Sequence, residues 1–167
     1  MNTEKNYFNL LIALTNDESF SKHLASELLE SDTNPSDFFN KHQEEYFSNR
    51  GISVPGNKEQ TVCYLLDKLD EKDFLYELDW KADSDELNYA LKLLSKGKIE
   101  TDLFSEEDAE DADGMFELIF DAEERLEEYD FAIVQFPLDS DSNPIALVPL
   151  ERGEEIQTMI DELFDAE

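Results

Sequence analysis

The sequence predicts an α+β fold: five or more helices with a small antiparallel sheet. Three observations carry this. Over most of the chain, apolar residues recur three and four positions apart, the repeat of a helix with one buried face. Near the C-terminus, Phe131-Ala-Ile-Val-Gln-Phe136 and Ile145-Ala-Leu-Val-Pro149 are short apolar runs separated by the turn chemistry of Asp139-Ser-Asp-Ser-Asn-Pro144. A third segment, Phe74-Leu-Tyr-Glu-Leu-Asp-Trp80, alternates Phe74, Tyr76, Leu78 and Trp80 with Leu75, Glu77 and Asp79. It predicts the third strand, although a helix could also accommodate it.

The elements follow in order. Residues 4–15 read as a helix through Phe8, Leu11, Ile12 and Thr15. Asn16 or Asp17 can cap a second helix that buries Phe20, Leu24, Leu28 and Leu29. Glu30-Ser-Asp-Thr-Asn-Pro35 reads as a break. Pro35 suits the first turn of a third helix over 35–49, with Asn34 as cap and Phe38, Phe39, Tyr46 and Phe47 inward, and Gly51 stops it. After the loop 52–56, Asn57 caps a fourth helix to Leu69, whose face is Val62, Leu65, Leu66 and Leu69. Asp83 or Ser84 starts a fifth helix through Leu94, with Gly97 as its stop. Ser105 opens a long acidic helix to about Tyr129, and a last helix covers 151–165. The length and the apolar content of 40% suit one acidic domain over 1–167. Its N-terminal part, 1–56, is helical, and 57–167 is α+β with the acidic helix at 105–130.

Charge is the sharpest functional signal. From Glu100 onward, 24 Asp and Glu stand against Arg125 and Arg152 alone, so this stretch holds −22 of the net −30. Twelve Phe and six Tyr set the chain apart from disordered acidic tails. Such a field repels nucleic acid and anionic membrane, and it suits a basic protein surface or bound cations. Cys63 is alone, and the N-terminus lacks the basic start and long apolar run of a signal peptide. Both features predict a cytoplasmic protein.

On a helical wheel, Ala112, Met115, Ile119, Ala122 and Leu126 fall within roughly 60° of Ile119. Glu106, Glu110, Asp113, Glu117, Asp121, Glu124 and Glu128 fall opposite, at spacings of four and three. If the helix is continuous, the stripe runs about 33 Å, close to one turn of duplex DNA. These seven residues are the candidate partner-binding set. The bland alternative is a solvated helix face, which charge runs usually are. Leu78-Asp79-Trp80-Lys81 is the secondary candidate interface, since an exposed Trp80 flanked by Asp79 and Lys81 would anchor a partner. The structural alternative, in which Trp80 caps the core and Asp79 supports the next loop, is preferred.

Other chemistry finds little footing. Asp139-Ser140-Asp141-Ser142-Asn143 resembles the start of a calcium loop, but Pro144 and Leu150 stand where Gly and Glu are needed. His23 and His42 have no ligand spacing around them, so no metal or cofactor is implied. Cys63 reads as core. No phosphate-binding glycine motif or nucleophile elbow is present, and no catalytic residue is assigned.

Leu78-Asp-Trp-Lys81 with Asp83-Ser-Asp-Glu-Leu87, and Asp139-Ser-Asp-Ser142 before Leu147-Val-Pro149, resemble segments of a family of acidic bacterial proteins known only as a domain of unknown function. The resemblance covers about residues 60–165, with Asn143-Pro144 standing where that family usually has an aromatic residue. It implies no reaction. By size, acidity and lack of a catalytic kit, the chain is also similar as a class to bacterial immunity proteins and phage inhibitors. The expected function is a non-enzymatic protein, monomer or small oligomer, that neutralises a basic partner, foremost as an immunity protein against a nucleic-acid-acting toxin. A DNA-mimic inhibitor of a restriction, CRISPR or other DNA-binding system is the first alternative. An enzyme or small-molecule domain with a pocket near Trp80 is the second.

Overall fold

Side-chain capping fixes three of the helix starts among the described residues. The computed structural model describes residues 3–164 apart from 57, 113 and 139. Among the described residues, the order is α1 (Thr3–Thr15), α2 (Glu18–Thr33), α3 (Pro35–His42), α4 (Lys58–Asp70), β1 (Tyr76–Asp79), α5 (Ser84–Leu94), α6 (Glu106–Asp111), α7 (Met115–Leu126), β2 (Phe131–Gln135), β3 (Ser142–Pro149) and α8 (Gly153–Phe164). Asp17 accepts a hydrogen bond from the Phe20 N–H at 2.9 Å, and Asp83 accepts from Glu86 at 3.0 Å. Ser105 and Asp108 cap each other's backbone N–H groups at the start of α6. Asn16 sits at φ 52 and ends α1 rather than starting α2. The residue expected to cap α4, Asn57, lies outside the described residues.

The sheet is antiparallel in the order β1-β3-β2. The segment 74–80 thus contains a strand, with Tyr76 opposite Ile145 and Asp79 opposite Ser142. β3 is longer than expected: Ser142, Asn143 and Pro144 belong to the strand, because their pairing with β1 extends the ladder into the expected turn.

Each strand alternates between two cores. Ala132, Val134, Ala146 and Val148 face a core built with α1, α2, α4 and α8. Phe131, Ile133, Ile145, Leu147 and Leu78 face a second core built with α5 and α7. The sheet is therefore the middle of three layers, which accounts for strands that are apolar on both faces.

Five expectations need correction. α2 continues through Glu30–Thr33, and the break falls only where Pro35 removes a donor and forces Asn34 to φ −134. Asn34 makes no side-chain cap. α3 ends at His42, and Gln43–Phe47 widens into a π-helical turn that stacks Phe47 on Phe39 with ring centroids 5.3 Å apart. On α1 the fully buried residues are Tyr7, Leu10 and Leu11, while Phe8, Ile12 and Thr15 are half-buried. The Tyr7 hydroxyl donates to Asp32 at 2.6 Å and so turns that side of the helix toward α2.

The fifth correction concerns the acidic helix, which is two helices. Ala112 is extended at ψ 142 and Gly114 adopts φ 96, ψ −179, so the helical path stops at Asp111 and restarts at Met115. A 3-10 turn, Glu127–Tyr129, then leads to Asp130 at φ 60 and into β2.

Candidate protein-interaction face

Arg125 holds the acidic helices in place. Its guanidinium lies 4.1 Å from the Phe104 ring centroid, bonds the Leu103 carbonyl and pairs with Asp108 at 2.6 Å. Hydrogen bonds from Arg125, then from the Ser105 backbone and hydroxyl, hold the Asp108 carboxyl well below the usual carboxylate range. From α5, the buried Asn88 side chain accepts from the Leu103 and Phe104 N–H groups and donates to the Phe104 carbonyl. Arg152 is engaged by Glu155 at 3.1 Å. Both basic residues of the acidic half are thus used within the fold, and its negative field is left largely uncompensated.

The seven stripe residues divide between two helices. Glu106 and Glu110 are exposed on α6, and Glu117, Asp121, Glu124 and Glu128 are exposed on α7 and the turn after it. Asp113 lies outside the described residues. Because Gly114 separates the two groups, a straight 33 Å line of carboxylates on one helix is not formed.

Sequence reasoning missed two aromatics. Phe116 is 69% exposed and Phe120 is 67% exposed, one turn apart on α7. A signal was available: Phe120 lies roughly 100° around the wheel from Ile119, on the side away from Met115 and Ala122. Continuing along that flank come Glu123 and Glu127, also exposed, at helical spacings of three and four.

Trp80 joins this face. It is 54% exposed, so it does not cap the core. Asp79 does support the following loop, accepting from the Lys81 N–H at 2.8 Å. The Lys81 ammonium lies 4.8 Å from the indole centroid. The Trp80 N–H bonds the Asp141 carbonyl at 2.9 Å, which ties the end of β1 to the β2–β3 loop. Trp80 and Phe116 line one shallow hollow of about 280 Å³, with Gly114 and Ser142 between them. The primary and secondary candidate interfaces are therefore neighbours.

Other polar groups serve packing. Arg50 bridges Asp67 at 2.6 Å and Glu77 at 2.9 Å, joining the end of the π-helical turn to α4 and β1. Burial pushes the Asp67 carboxyl up, against the pull of Arg50. Burial raises the Cys63 thiol to about 11, which leaves it protonated and unreactive at neutral pH. His42 is buried among Phe38, Tyr46 and Tyr64, and its Nε2 has no hydrogen-bond partner. Among the described residues, no three His, Cys, Asp or Glu side chains converge as a metal site requires, and no helix is long and apolar enough to cross a membrane.

Neither curated proteins nor solved structures show a significant match to the chain. A family profile matches residues 6–164 and so includes the N-terminal helices, which the resemblance from residue 60 onward left out. On that match the chain belongs to the family described as Domain of unknown function (DUF6630).

Proposed function

We propose that the chain is a non-enzymatic binding protein that takes a basic protein partner on the outer face of α7 and neutralises it, foremost as an immunity protein against a nucleic-acid-acting toxin. One observation carries the reading: Phe116 and Phe120 stand exposed on α7, with Phe116 beside Trp80, on a helix that also exposes Glu117, Asp121 and Glu124 and leads into the exposed Glu128. Exposing two phenylalanines on one helix face works against solubility unless a partner covers them. Aromatic anchors inside a charged rim are what a protein interface uses: the anchors supply affinity, and the rim supplies encounter rate and specificity. The divided stripe and the aromatics both favour this reading over DNA mimicry, which needs an extended anionic line and no apolar anchors.

The test compares two variants as baits in extract of the organism that encodes the chain, at low and high salt. Phe116→Ala with Phe120→Ala should weaken partner capture by about 2 kcal/mol or more at both salt concentrations. Glu117→Gln, Asp121→Gln, Glu124→Gln and Glu128→Gln together should slow association and flatten its salt dependence. Capture at wild-type level by both folded variants contradicts the proposal.

A further inference from the structure

β2 is an edge strand, because the order β1-β3-β2 leaves one of its sides without a neighbour. Backbone polar groups alternate between the two sides of an antiparallel strand. Phe136 donates its N–H toward β3, to the Pro144 carbonyl at 3.2 Å. At Gln135 the N–H and the carbonyl are both taken by the side-chain amide of Gln157 on α8, at 2.9 and 3.0 Å. Gln135 therefore faces the open edge, and by the same alternation so do Ile133 and Phe131. The Gln157 amide fills one rung as the peptide group of a neighbouring strand would. Among the described residues, no side chain fills the next rung, at Ile133.

A groove of about 680 Å³ runs along this edge. Ala132 and Ile133 form its floor, Glu123 and Glu127 of the α7 flank form one wall, and Glu154 of α8 stands on the other. Gly153 sets the α8 wall close: a Cβ there would lie 2.7 Å from the Ala132 Cβ. Successive side chains of an extended segment laid in this groove would point alternately at the two walls. Both walls carry exposed carboxylates, so Lys and Arg fit on either side. A second copy of this chain does not fit, because its own β2 edge would bring the same carboxylates against these.

We propose that the open edge of β2 binds an extended, Lys- and Arg-bearing protein segment as a fourth strand of the sheet. Main-chain hydrogen bonds to Ile133 and Phe131 give the pairing, and Glu123, Glu127 and Glu154 select the charge. The site adjoins the Phe116–Phe120 flank of α7 but shares no residue with the face proposed above, and it stands without it.

The test titrates the full chain with a ten-residue peptide in which pairs of Lys alternate with pairs of Val, so that Lys faces both walls, followed by amide NMR and hydrogen exchange. Binding should saturate, and exchange at the Ile133 amide should slow at least tenfold. The same peptide N-methylated on the face that bonds β2 keeps its charge and should bind at least tenfold more weakly. Glu123→Gln, Glu127→Gln and Glu154→Gln together should also weaken binding at least tenfold, and the four α7 substitutions at 117, 121, 124 and 128 should leave it near wild type. Equal binding of the methylated peptide, unchanged exchange at Ile133 or no saturable binding would each overturn the proposal.

Discussion

At the scale of single residues, burial and exposure decide which side chains carry consequences. His42 lies 4.4 Å from the Phe38 ring and 4.9 Å from the Tyr64 ring, centroid to centroid. Burial, then Lys41, lowers its pKa, while Glu27, Glu45 and Glu30 pull the other way. A base whose folded pKa lies below its unfolded value of about 6.5 binds fewer protons when folded. Its contribution to stability is full above that pH and is lost as pH falls toward the folded value. His42→Phe keeps the aromatic packing and removes both the titration and the unpartnered nitrogen. Denaturant melts should show the variant at least as stable as wild type at pH 7.5, with the gap widening by pH 5.5. A gap that narrows on acidification contradicts this account. Cys63 as core and Asp79 as a loop support were legible from their neighbours in the chain. The exposure of Phe116 and Trp80 was not, because large apolar residues are read as core by default and only tertiary placement shows otherwise, whereas for Phe120 the wheel position already carried the signal.

At the scale of elements, the break between α6 and α7 distinguishes two accounts of the acidic segment. In one continuous helix, Gly114→Ala would stabilise the chain by about 1 kcal/mol. At φ 96, ψ −179 the same change forces an L-residue into a region that glycine alone tolerates, at a cost of about 1–3 kcal/mol. A Cβ at this position meets no atom within 4 Å, so the effect is one of backbone alone. Equilibrium unfolding should show Gly114→Ala destabilised, and a stabilised variant would restore the continuous helix. Arg125→Met should likewise destabilise, by roughly 1–2 kcal/mol for a partly exposed charged donor, and should increase amide exchange in α6 more than in α4. β1 was legible from period-two alternation, β2 and β3 from short apolar runs around turn residues, and the caps at Asp17, Asp83 and Ser105 from N-cap chemistry, all of which are local. The π-helical turn at 43–47 was not, because it arises from packing Phe47 on Phe39.

At the scale of the whole molecule, the net charge of −30 concentrates where Arg125 and Arg152 are already paired. Repulsion among exposed carboxylates is screened within a Debye length of about 10 Å at 0.1 M salt. Sodium chloride added at pH 8 should therefore raise Tm, by about 2–4 °C for each kcal/mol of repulsion relieved in a chain of this size. A Tm that falls with salt would mean that ion pairs such as those of Arg50 with Asp67 and Glu77 outweigh the repulsion. The sequence makes the charge asymmetry visible, but the neighbourhood of Trp80 and Phe116 comes only from the layer order that lays α7 across the sheet.

The most direct measurement of the central claim is site-specific photocrosslinking. A photoreactive phenylalanine analogue replaces Phe120 in one protein and Glu44, an exposed residue of the N-terminal helical region, in another. Both are irradiated in extract of the encoding organism at low salt, and the adducts are identified by mass. The account predicts a discrete adduct with a basic protein at position 120 that is absent at position 44 and is competed away by unlabelled wild-type chain. Adducts that are the same at both positions, or an acidic partner at position 120, would contradict it.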